Sequence, residues 1–517
     1  MKCRVRLSIL GCLAVLALGI GPAQAQTWEA SYGQTTKNEY GFKRVAPVVG
    51  CPGGGTIAIG TSGANLLQLW FGPFPVNPND PDVYIVRTNA FGARIWENTY
   101  DIGGRRGVDI GSAIRETPIG DGFVATGTTD LAQPHTDVFL LRIDCNGAVL
   151  ATNTYTSPMQ GNEYGMDLLV APPTNPSTGN RFDIVVAGIT RSTAPFASLA
   201  IGTGGDGLLL RTNENGGMLW NRAYDLGAEE GFAGVTEAGP PPGPNLAREL
   251  VAVGLRGTPA AGGNAWMVRV NGNNGAIVPG PGSLQNAADY ASPLFDDFRS
   301  VIELTSPAEA GNLVAVGVTS NQGYILKTTG NPCIPIVDQA ISDVAIWDVK
   351  EVQDTHAIAL PGDLAITGEH ITPSTFDVDA FLLTLGAPIL TPLVGSGRLY
   401  GNHNGPFDAA ASLHEVRGVG GIGNGFLISG VTTSSFEGLG DPQDMYLIKT
   451  DPAGNTKSCE KTWDPVYNPP KLPVTCLMPQ ITPVLIQKPQ TTVAVPLFTA
   501  FLRPECSSGG GIGTAGK

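Results

Sequence analysis

The chain has 517 residues, of which 69 are Gly and 41 are Pro, and only 15% are charged. Gly and Pro together make up about a fifth of the chain, against roughly 12% in an average protein, and the charged fraction falls below the usual quarter. An apolar content of 42% excludes a wholly disordered chain. The dense Gly and Pro exclude a helix-rich protein. A large all-β protein with many turns remains.

The first 25 residues predict a signal peptide. Lys2, Arg4 and Arg6 precede an apolar run from Leu7 to Ile20, and Ala23-Gln24-Ala25 forms an A-x-A cleavage site. We therefore expect a secreted chain, located outside the cell, on its surface or in the periplasm. No later apolar run is long enough to span a membrane, so we expect no transmembrane segment in the mature chain.

A lipoprotein signal is the alternative for the same segment. Ile9-Leu10-Gly11-Cys12 resembles a lipobox, although it would leave only a short apolar region before the cysteine. The means of any cell anchoring therefore stays open.

The formal net charge of −14 bears on the possible partners. Phosphate contacts need Lys and Arg, so an acidic chain is a poor nucleic-acid binder. It is also poorly suited to anionic membrane surfaces. We expect a monomer whose partner is an extracellular protein or a glycan, with no nucleic-acid ligand.

An even number of cysteines follows the predicted cleavage site, namely Cys51, Cys145, Cys333, Cys459, Cys476 and Cys506. In an oxidising compartment this count predicts up to three disulfides, with 15 possible pairings. Proximity favours Cys459–Cys476, and buried thiols are the alternative. No C-x-x-C motif occurs, which excludes the usual zinc and thioredoxin-like sites.

Two strand patterns recur seven times with a period of about 60 residues. The first is an apolar strand that ends in a basic residue in all copies but one: Val83–Arg87, Val138–Arg142, Gly207–Arg211, Ala265–Arg269, Gly323–Lys327, Ala380–Thr384 and Met445–Lys449. The second precedes it and ends in Gly: Thr56–Gly60, Phe123–Gly127, Ile184–Gly188, Leu250–Gly254, Leu313–Gly317, Leu364–Gly368 and Phe426–Gly430.

Two further strands complete each unit. A turn opened by Asp or Asn and closed by Gly, as at Thr212–Gly216, predicts a hairpin into an aromatic strand. A strand rich in small residues follows, as at Gly231–Gly234. Four strands in seven units predict an all-β, seven-bladed β-propeller. We name its strands a (inner, small residues), b (ending in Gly), c (ending in a basic residue) and d (outer, aromatic).

The ring needs seven d strands, and the sequence offers eight candidates. We expect Trp28–Tyr32 to pair into the last blade and join the two ends of the ring, while the 455–463 segment is the alternative. The expected parts are a signal peptide (1–25), the propeller (26–463) and a Pro/Gly-rich extension (464–517). The extension predicts a small β segment fixed by Cys476 or Cys506, or else a Pro-rich linker.

The units resemble the repeats of bacterial secreted β-propeller proteins, of the SBBP type and related lipoprotein propellers. The pattern is carried by G-F-V-A-T-G-T-T at 122–129, D-V-F-L-L-R at 137–142 and W-x-x-x-Y at 96–100. The resemblance covers about 85% of the chain. It implies export, a propeller fold and an extracellular or cell-surface role, and it implies no reaction.

No catalytic motif is present. The chain lacks G-x-S-x-G, H-E-x-x-H and Walker A patterns, and its five His have no metal-ligand spacing. The turns superficially resemble repeats of quinone-dependent dehydrogenases and the Asp boxes of sialidases, but the spacing fits neither. We therefore predict no catalytic residues.

An acidic residue recurs just before or at strand a, at Glu39, Glu163, Glu230, Asp297, Asp343 and Asp408. The second blade instead has Arg105 and Arg106 at this place. One interpretation is an electronegative channel mouth that holds a divalent cation such as calcium or a cationic ligand. The alternative, which we favour, is that each carboxylate accepts backbone N–H bonds from a neighbouring blade. No other cofactor is expected.

The loops between strands b and c are long in blades one and three. The loop Thr61–Asp82 carries Trp70, Phe71 and Phe74, which suit sugar stacking or a protein contact. The alternative is that these aromatic residues only fix the loop to its blade. With Arg105 and Arg106, they are the candidate ligand-binding residues.

Three functions remain open. The first is an exported, non-enzymatic binding or scaffold protein that uses the long b–c loops and the acidic mouth. The second is an extracellular enzyme that acts on glycans or a small molecule. The third is a passive structural domain on the cell surface.

Overall fold

A computed structural model describes most of the chain between residues 27 and 496. The described ranges are 27–33, 38–63, 81–102, 107–132, 135–157, 161–175, 179–191, 205–239, 247–257, 262–279, 286–292, 295–320, 322–375, 377–401, 407–433, 443–456, 460–463, 465–468, 474–476, 480–482, 486–489 and 492–496. The predicted signal peptide lies outside them.

Seven antiparallel sheets form a closed ring, which confirms the predicted all-β, seven-bladed propeller of four-stranded blades. The first strand of each sheet contacts the first strand of the next, and the last contacts the first. These inner strands are strand a of each blade. The only helical element of the described residues is a short 3₁₀ turn, Val419–Gly421, and none of the described helices is long and apolar enough to cross a membrane.

The strands follow the ring in chain order after β1 (Trp28–Tyr32). Blades one to three comprise β2 (Glu39–Pro47), β3 (Thr56–Ser62), β4 (Asp82–Thr88), β5 (Arg94–Ile102); β6 (Asp109–Glu116), β7 (Gly122–Ala132), β8 (His135–Asp144), β9 (Val149–Thr156); β10 (Asn162–Ala171), β11 (Asp183–Arg191), β12 (Gly205–Asn213), β13 (Met218–Asp225). Blades four and five comprise β14 (Glu230–Ala238), β15 (Glu249–Arg256), β16 (Asn264–Val270), β17 (Ala287–Tyr290); β18 (Asp296–Glu303), β19 (Leu313–Thr319), β20 (Gln322–Thr328), β21 (Pro335–Ile341). Blades six and seven comprise β22 (Val344–Glu351), β23 (Leu364–Ile371), β24 (Val378–Gly386), β25 (Thr391–Pro392), β26 (Arg398–Tyr400); β27 (Asp408–Glu415), β28 (Phe426–Thr432), β29 (Asp444–Lys449).

The first strand of the chain closes the ring. β1 pairs antiparallel with β29, with Trp28 opposite Lys449 and Tyr32 opposite Met445. Blade seven therefore takes its strands a, b and c from the end of the repeat and its strand d from the beginning. The prediction that Trp28–Tyr32 fills this place is confirmed, and the alternative segment 455–463 does not occupy it.

The Gly that ends the strand b pattern is required by close backbone packing. A Cβ atom on Gly127 would lie 1.8 Å from the carbonyl oxygen of Ile110, and one on Gly188 would lie 1.8 Å from that of Tyr164. In both cases the carbonyl belongs to the adjacent strand a, which has a β-bulge next to this point. Any side chain here would force the two strands apart, so only Gly fits.

A tyrosine near the end of strand d joins most blades to the next one. Its hydroxyl donates to a carbonyl of the c–d turn in the following blade, as Tyr100 does to Gly147 at 2.9 Å and Tyr224 does to Gly275 at 2.6 Å. The other described members of this series are Tyr32 to Gly92, Tyr155 to Gly216, Tyr290 to Pro332 and Tyr400 to Gly454. Blade five has Ile341 at this register and lacks the bond.

The basic residue that ends strand c serves the same junctions. Arg211 donates to the carbonyl of Gly272 in the next blade at 3.2 Å, and Lys327 donates to that of Ala387 at 2.8 Å. Both side chains are buried. Charged donors make stronger hydrogen bonds than neutral ones, so these residues fix the spacing between blades.

The C-terminal segment surrounds the propeller. Six short strands from 461–496 each add antiparallel to the outer edge of one blade, in reverse blade order from six to one. We name them the belt strands: β30 (Lys461–Thr462), β31 (Tyr467–Asn468), β32 (Val474–Cys476), β33 (Gln480–Thr482), β34 (Ile486–Pro489) and β35 (Thr492–Pro496). Prolines separate them, and such residues are tolerated at sheet edges. The division of the chain at 25 and 463 stays a prediction.

Two disulfides are present among the described residues. Cys51–Cys145 joins blades one and two, and Cys333–Cys476 joins the c–d turn of blade five to belt strand β32 on blade four. The proposed Cys459–Cys476 pairing was therefore wrong, because sequence proximity did not reveal that the segment after 459 leaves for other blades.

Candidate functional site

Because neighbouring strands are antiparallel, strands a and c begin, and strands b and d end, at the same edge of each blade. In blade three, for example, Glu163 lies opposite Thr190, and Thr190 lies opposite Asp206. The b–c loops and the d–a connections leave the ring at this edge. We call it the loop face. It contains the predicted ligand-binding elements.

The candidate ligand-binding residues Trp70, Phe71, Phe74, Arg105 and Arg106 lie outside the described residues. Their proposed role therefore stays a prediction. The six candidate acidic residues are described, and all of them lie at or next to the start of an inner strand on the loop face.

The strand register shows which acidic residues occupy equivalent positions. Glu39, Glu163, Glu230 and Asp408 all lie two residues before the point where strand a meets the strand b Gly. In blade five this position is held by Asp296 rather than its neighbour Asp297, and in blade six by Val344 rather than Asp343. Asp343 is exposed and has a φ of 62°.

The equivalent residue of blade two is Asp109, which sequence reasoning missed. Arg105 and Arg106 come a few residues earlier in the chain, whereas Asp109 directly precedes the small residues of strand a, as the other members do. With Asp109 and Asp296 included, a carboxylate is found at this register in every blade except the sixth.

These carboxylates hold the loop face together. Glu39 accepts from Ser62 at 2.8 Å, Glu163 from Thr190 at 3.2 Å and Asp296 from Thr319 at 2.5 Å, each across to strand b. Asp109 accepts the backbone N–H of Ile102 at 2.6 Å, and thereby fixes the connection from the preceding blade. All of these acidic side chains are buried.

Burial raises the pKa of several of these carboxyl groups. Desolvation raises the pKa of Glu163 to about 8, and the nearby Asp137 adds to the rise. Desolvation also raises the pKa of Glu230 to about 7 and that of Asp109 well above its ordinary value. A buried carboxylate without enough compensating charge favours its protonated form or a bound cation.

Three carboxylates converge between blades three and four. Asp206, Asp225 and Glu230 each bring one oxygen within 4.8 Å of the others. An equilateral triangle of that size has its corners about 2.8 Å from the centre, and calcium binds oxygens at about 2.3–2.6 Å. Carboxylates are the ligands that calcium prefers. A small inward movement of the three side chains would bring their oxygens to calcium-binding distance.

The partners of the cluster leave one oxygen over. Gly227 donates its N–H to Asp225 at 2.6 Å, and Ala228 donates to Oε1 of Glu230 at 3.2 Å. Nε of Arg256 lies 3.4 Å from the same Oε1. The backbone N–H of Leu226 also interacts with the Glu230 carboxylate and lowers its pKa. Oε2 of Glu230 is buried and has no hydrogen-bond partner within 3.5 Å among the described residues. Desolvation and the charge of Asp225 raise the pKa of Asp206 to about 6.

The junction of blades one and two repeats the same three register positions. Asp82 and Asp101 flank the pair Val83–Tyr100, as Asp206 and Asp225 flank Gly207–Tyr224, and Asp109 begins the next strand a. Burial raises the pKa of Asp109, and the charges of Asp101 and Asp82 raise it further. Three acidic residues therefore share these register positions at the junction of blades one and two and at the junction of blades three and four.

A second set of carboxylates lies at the opposite face, where strand a ends. Glu116 accepts the N–H groups of Val49, Gly50 and Cys51 in the preceding blade at 2.7–2.9 Å. Glu351 and Glu415 do the same to their preceding blades. Carboxylates that accept backbone N–H bonds from a neighbouring blade were the favoured alternative for the loop-face acids. This arrangement is clearest at Glu116, Glu351 and Glu415, which the sequence did not identify.

Comparison with known proteins assigns this chain to no family. No protein-family model matches the chain, and no curated protein matches it. Among solved structures, a quinohemoprotein alcohol dehydrogenase from Comamonas testosteroni is similar, at 10% sequence identity and a TM-score of 0.30. The match covers 73% of this chain and 66% of that chain, which is less than two thirds of its length. A likeness at this level carries no argument about this chain.

Proposed function

We propose that this protein is an exported, non-enzymatic binding or scaffold protein that recognises an extracellular protein or a glycan through its loop face. The observation that carries the proposal is the carboxylate cluster of Asp206, Asp225 and Glu230 on that face. In this proposal the cluster holds a divalent cation such as calcium. The two disulfides support an oxidising, extracellular environment.

The cation would act on a binding loop. Asp206 is the second residue of β12 and directly follows the long b–c loop of blade three, while Asp225 and Glu230 border the connection to blade four. An ion shared by the three carboxylates would join the end of this loop to the neighbouring blade. Ordering a loop before binding lowers the entropic cost of association.

Aromatic residues of the b–c loop of blade one would supply ligand contacts. Trp70 and Phe71 are the candidates, since aromatic rings stack on sugars and anchor protein interfaces. The acidic loop face favours ligands that carry positive charge or bind through calcium.

The proposal is tested with glycan and secreted-protein arrays probed with the full mature chain. We expect specific binding in calcium that falls at least tenfold in a chelator and in Trp70→Ser. Phe91→Ser is the matched control, because Phe91 is an exposed aromatic residue on the c–d turn at the opposite face. Binding that persists in Trp70→Ser but is lost in Phe91→Ser would place the ligand on the wrong face and contradict the proposal.

A further inference from the structure

The belt advances by a nearly constant step. The belt residues opposite the tyrosine register of strand d are separated by six or seven residues: Tyr467 (opposite Ile341), Val474 (opposite Tyr290), Ile481 (opposite Tyr224), Gln487 (opposite Tyr155) and Ala494 (opposite Tyr100). The blades are visited in strict reverse order, from six to one. The path from one blade to the next therefore takes six or seven residues of the belt.

Blade seven is the next blade on this path. Among the described residues its outermost strand is β1, and no belt strand is paired with it. The other six outer edges are covered. An unpaired strand edge readily pairs with another strand, so the outer edge of β1 can accept one more strand.

The chain that follows the belt has the right length and composition. One further step from Ala494 reaches residue 500 or 501, within the segment Leu497–Leu502. This segment reads L-F-T-A-F-L, which is apolar and suited to a strand, and it lies between Pro496 and Pro504 as the belt strands lie between prolines. We propose that Leu497–Leu502 pairs antiparallel with the outer edge of β1 as a seventh belt strand and closes the belt around the ring.

The closed belt has a covalent consequence. An antiparallel strand would run from Tyr32 towards Trp28, which brings Cys506 to the first residues of β1. Thr456 and Glu460, on either side of Cys459, lie at this place, since the hydroxyl of Thr456 is within hydrogen-bond distance of the carboxylates of both Glu29 and Glu460. A Cys459–Cys506 disulfide would then form by thiol–disulfide exchange with a protein disulfide, which is reduced to a dithiol as it takes up both electrons and both protons.

Hydrogen exchange of the β1 amides tests the closure. Three chains are compared: the full mature chain, one ending at Ser507 and one ending at Pro496. We expect the β1 amides that point away from β29 to exchange at least tenfold faster in the chain ending at Pro496 than in the other two. The amides of β28 should exchange equally in all three. Where the shortest chain does not fold, Ala500→Pro replaces it, with Gly510→Pro as its control.

Three outcomes would overturn the proposal. The first is equal exchange of β1 in all chains. The second is protection of β1 that disappears on dilution together with a dimer detected by light scattering, which would assign the strand to a second copy. The third is a non-reducing peptide map in which Cys459 and Cys506 both remain thiols. A linked peptide containing both cysteines supports the closed belt.

Discussion

The tyrosine bonds between blades give a stability prediction that can be worked from the structure. Tyr155 is buried, and its hydroxyl donates to the carbonyl of Gly216 in the next blade at 2.5 Å. Tyr155→Phe removes the donor and leaves that carbonyl without its partner from blade two. A lost hydrogen bond costs about 0.5–1.5 kcal/mol, and an unsatisfied buried acceptor costs about 1–3 kcal/mol. We therefore expect a loss of about 1–3 kcal/mol.

The chain offers a matched control for this substitution. The hydroxyl of Tyr467 is buried on belt strand β31 and has no hydrogen-bond partner among the described residues. Tyr467→Phe should therefore be neutral or slightly stabilising, since it removes an unsatisfied polar group. Urea denaturation of both variants, with midpoint and slope fitted together, measures the difference. If Tyr155→Phe destabilises no more than Tyr467→Phe, the hydroxyl does not join the blades.

Two further predictions concern protons on the loop face. Because the pKa of Glu163 is raised to about 8, the folded chain binds a proton more tightly than the unfolded one, so stability in a chelator should fall between pH 5 and pH 8. In thermal unfolding measured across this pH range, Glu163→Gln should show a smaller loss of stability than the parent chain. If the two chains lose stability equally with rising pH, Glu163 does not hold the proton. Calcium competes with the protons of Asp206 and Glu230, whose pKa values are about 6 and 7, so calorimetric affinity should rise from pH 5.5 to pH 8. A constant affinity over this range would exclude these two carboxylates as ligands.

The repeat made most of the fold predictable from the sequence. The strand b Gly and the strand c Arg or Lys were visible because each answers a requirement that recurs in every blade, namely close packing on strand a and a bond to the next turn. The closing role of Trp28–Tyr32 followed from counting d strands. Strand type and order were therefore encoded locally and repeatedly.

The belt was not predictable in the same way. Its strands are two to five residues long, and proline-rich segments of that kind are also typical of linkers. The belt strands pair with blade strands that lie from 62 residues earlier (Leu399 with Lys461) to 398 residues earlier (Asn98 with Pro496), and no local pattern records such distances. The Cys333–Cys476 disulfide depends on that path, so its pairing was hidden as well.

The site was predictable only in part. The sequence identified Glu230 and the acidic register, but Asp206 and Asp225 belong to strands c and d of the preceding blade. They meet Glu230 because the d–a connection is short and the strand ends share one edge. Sequence spacing alone could not show that convergence, nor could it decide between the neighbours Asp296 and Asp297.

A calcium titration at pH 8 tests the central claim most directly. The account predicts binding to the full mature chain in isothermal titration calorimetry, with an affinity that Asp225→Asn lowers at least tenfold. Asp343→Asn is the control, since Asp343 is exposed at the junction of blades five and six, away from the cluster, and its positive φ is tolerated by Asn, and it should bind as the parent does. Absence of calcium binding, or equal affinity in Asp225→Asn and the parent chain, would contradict the assignment of a cation site to the loop face.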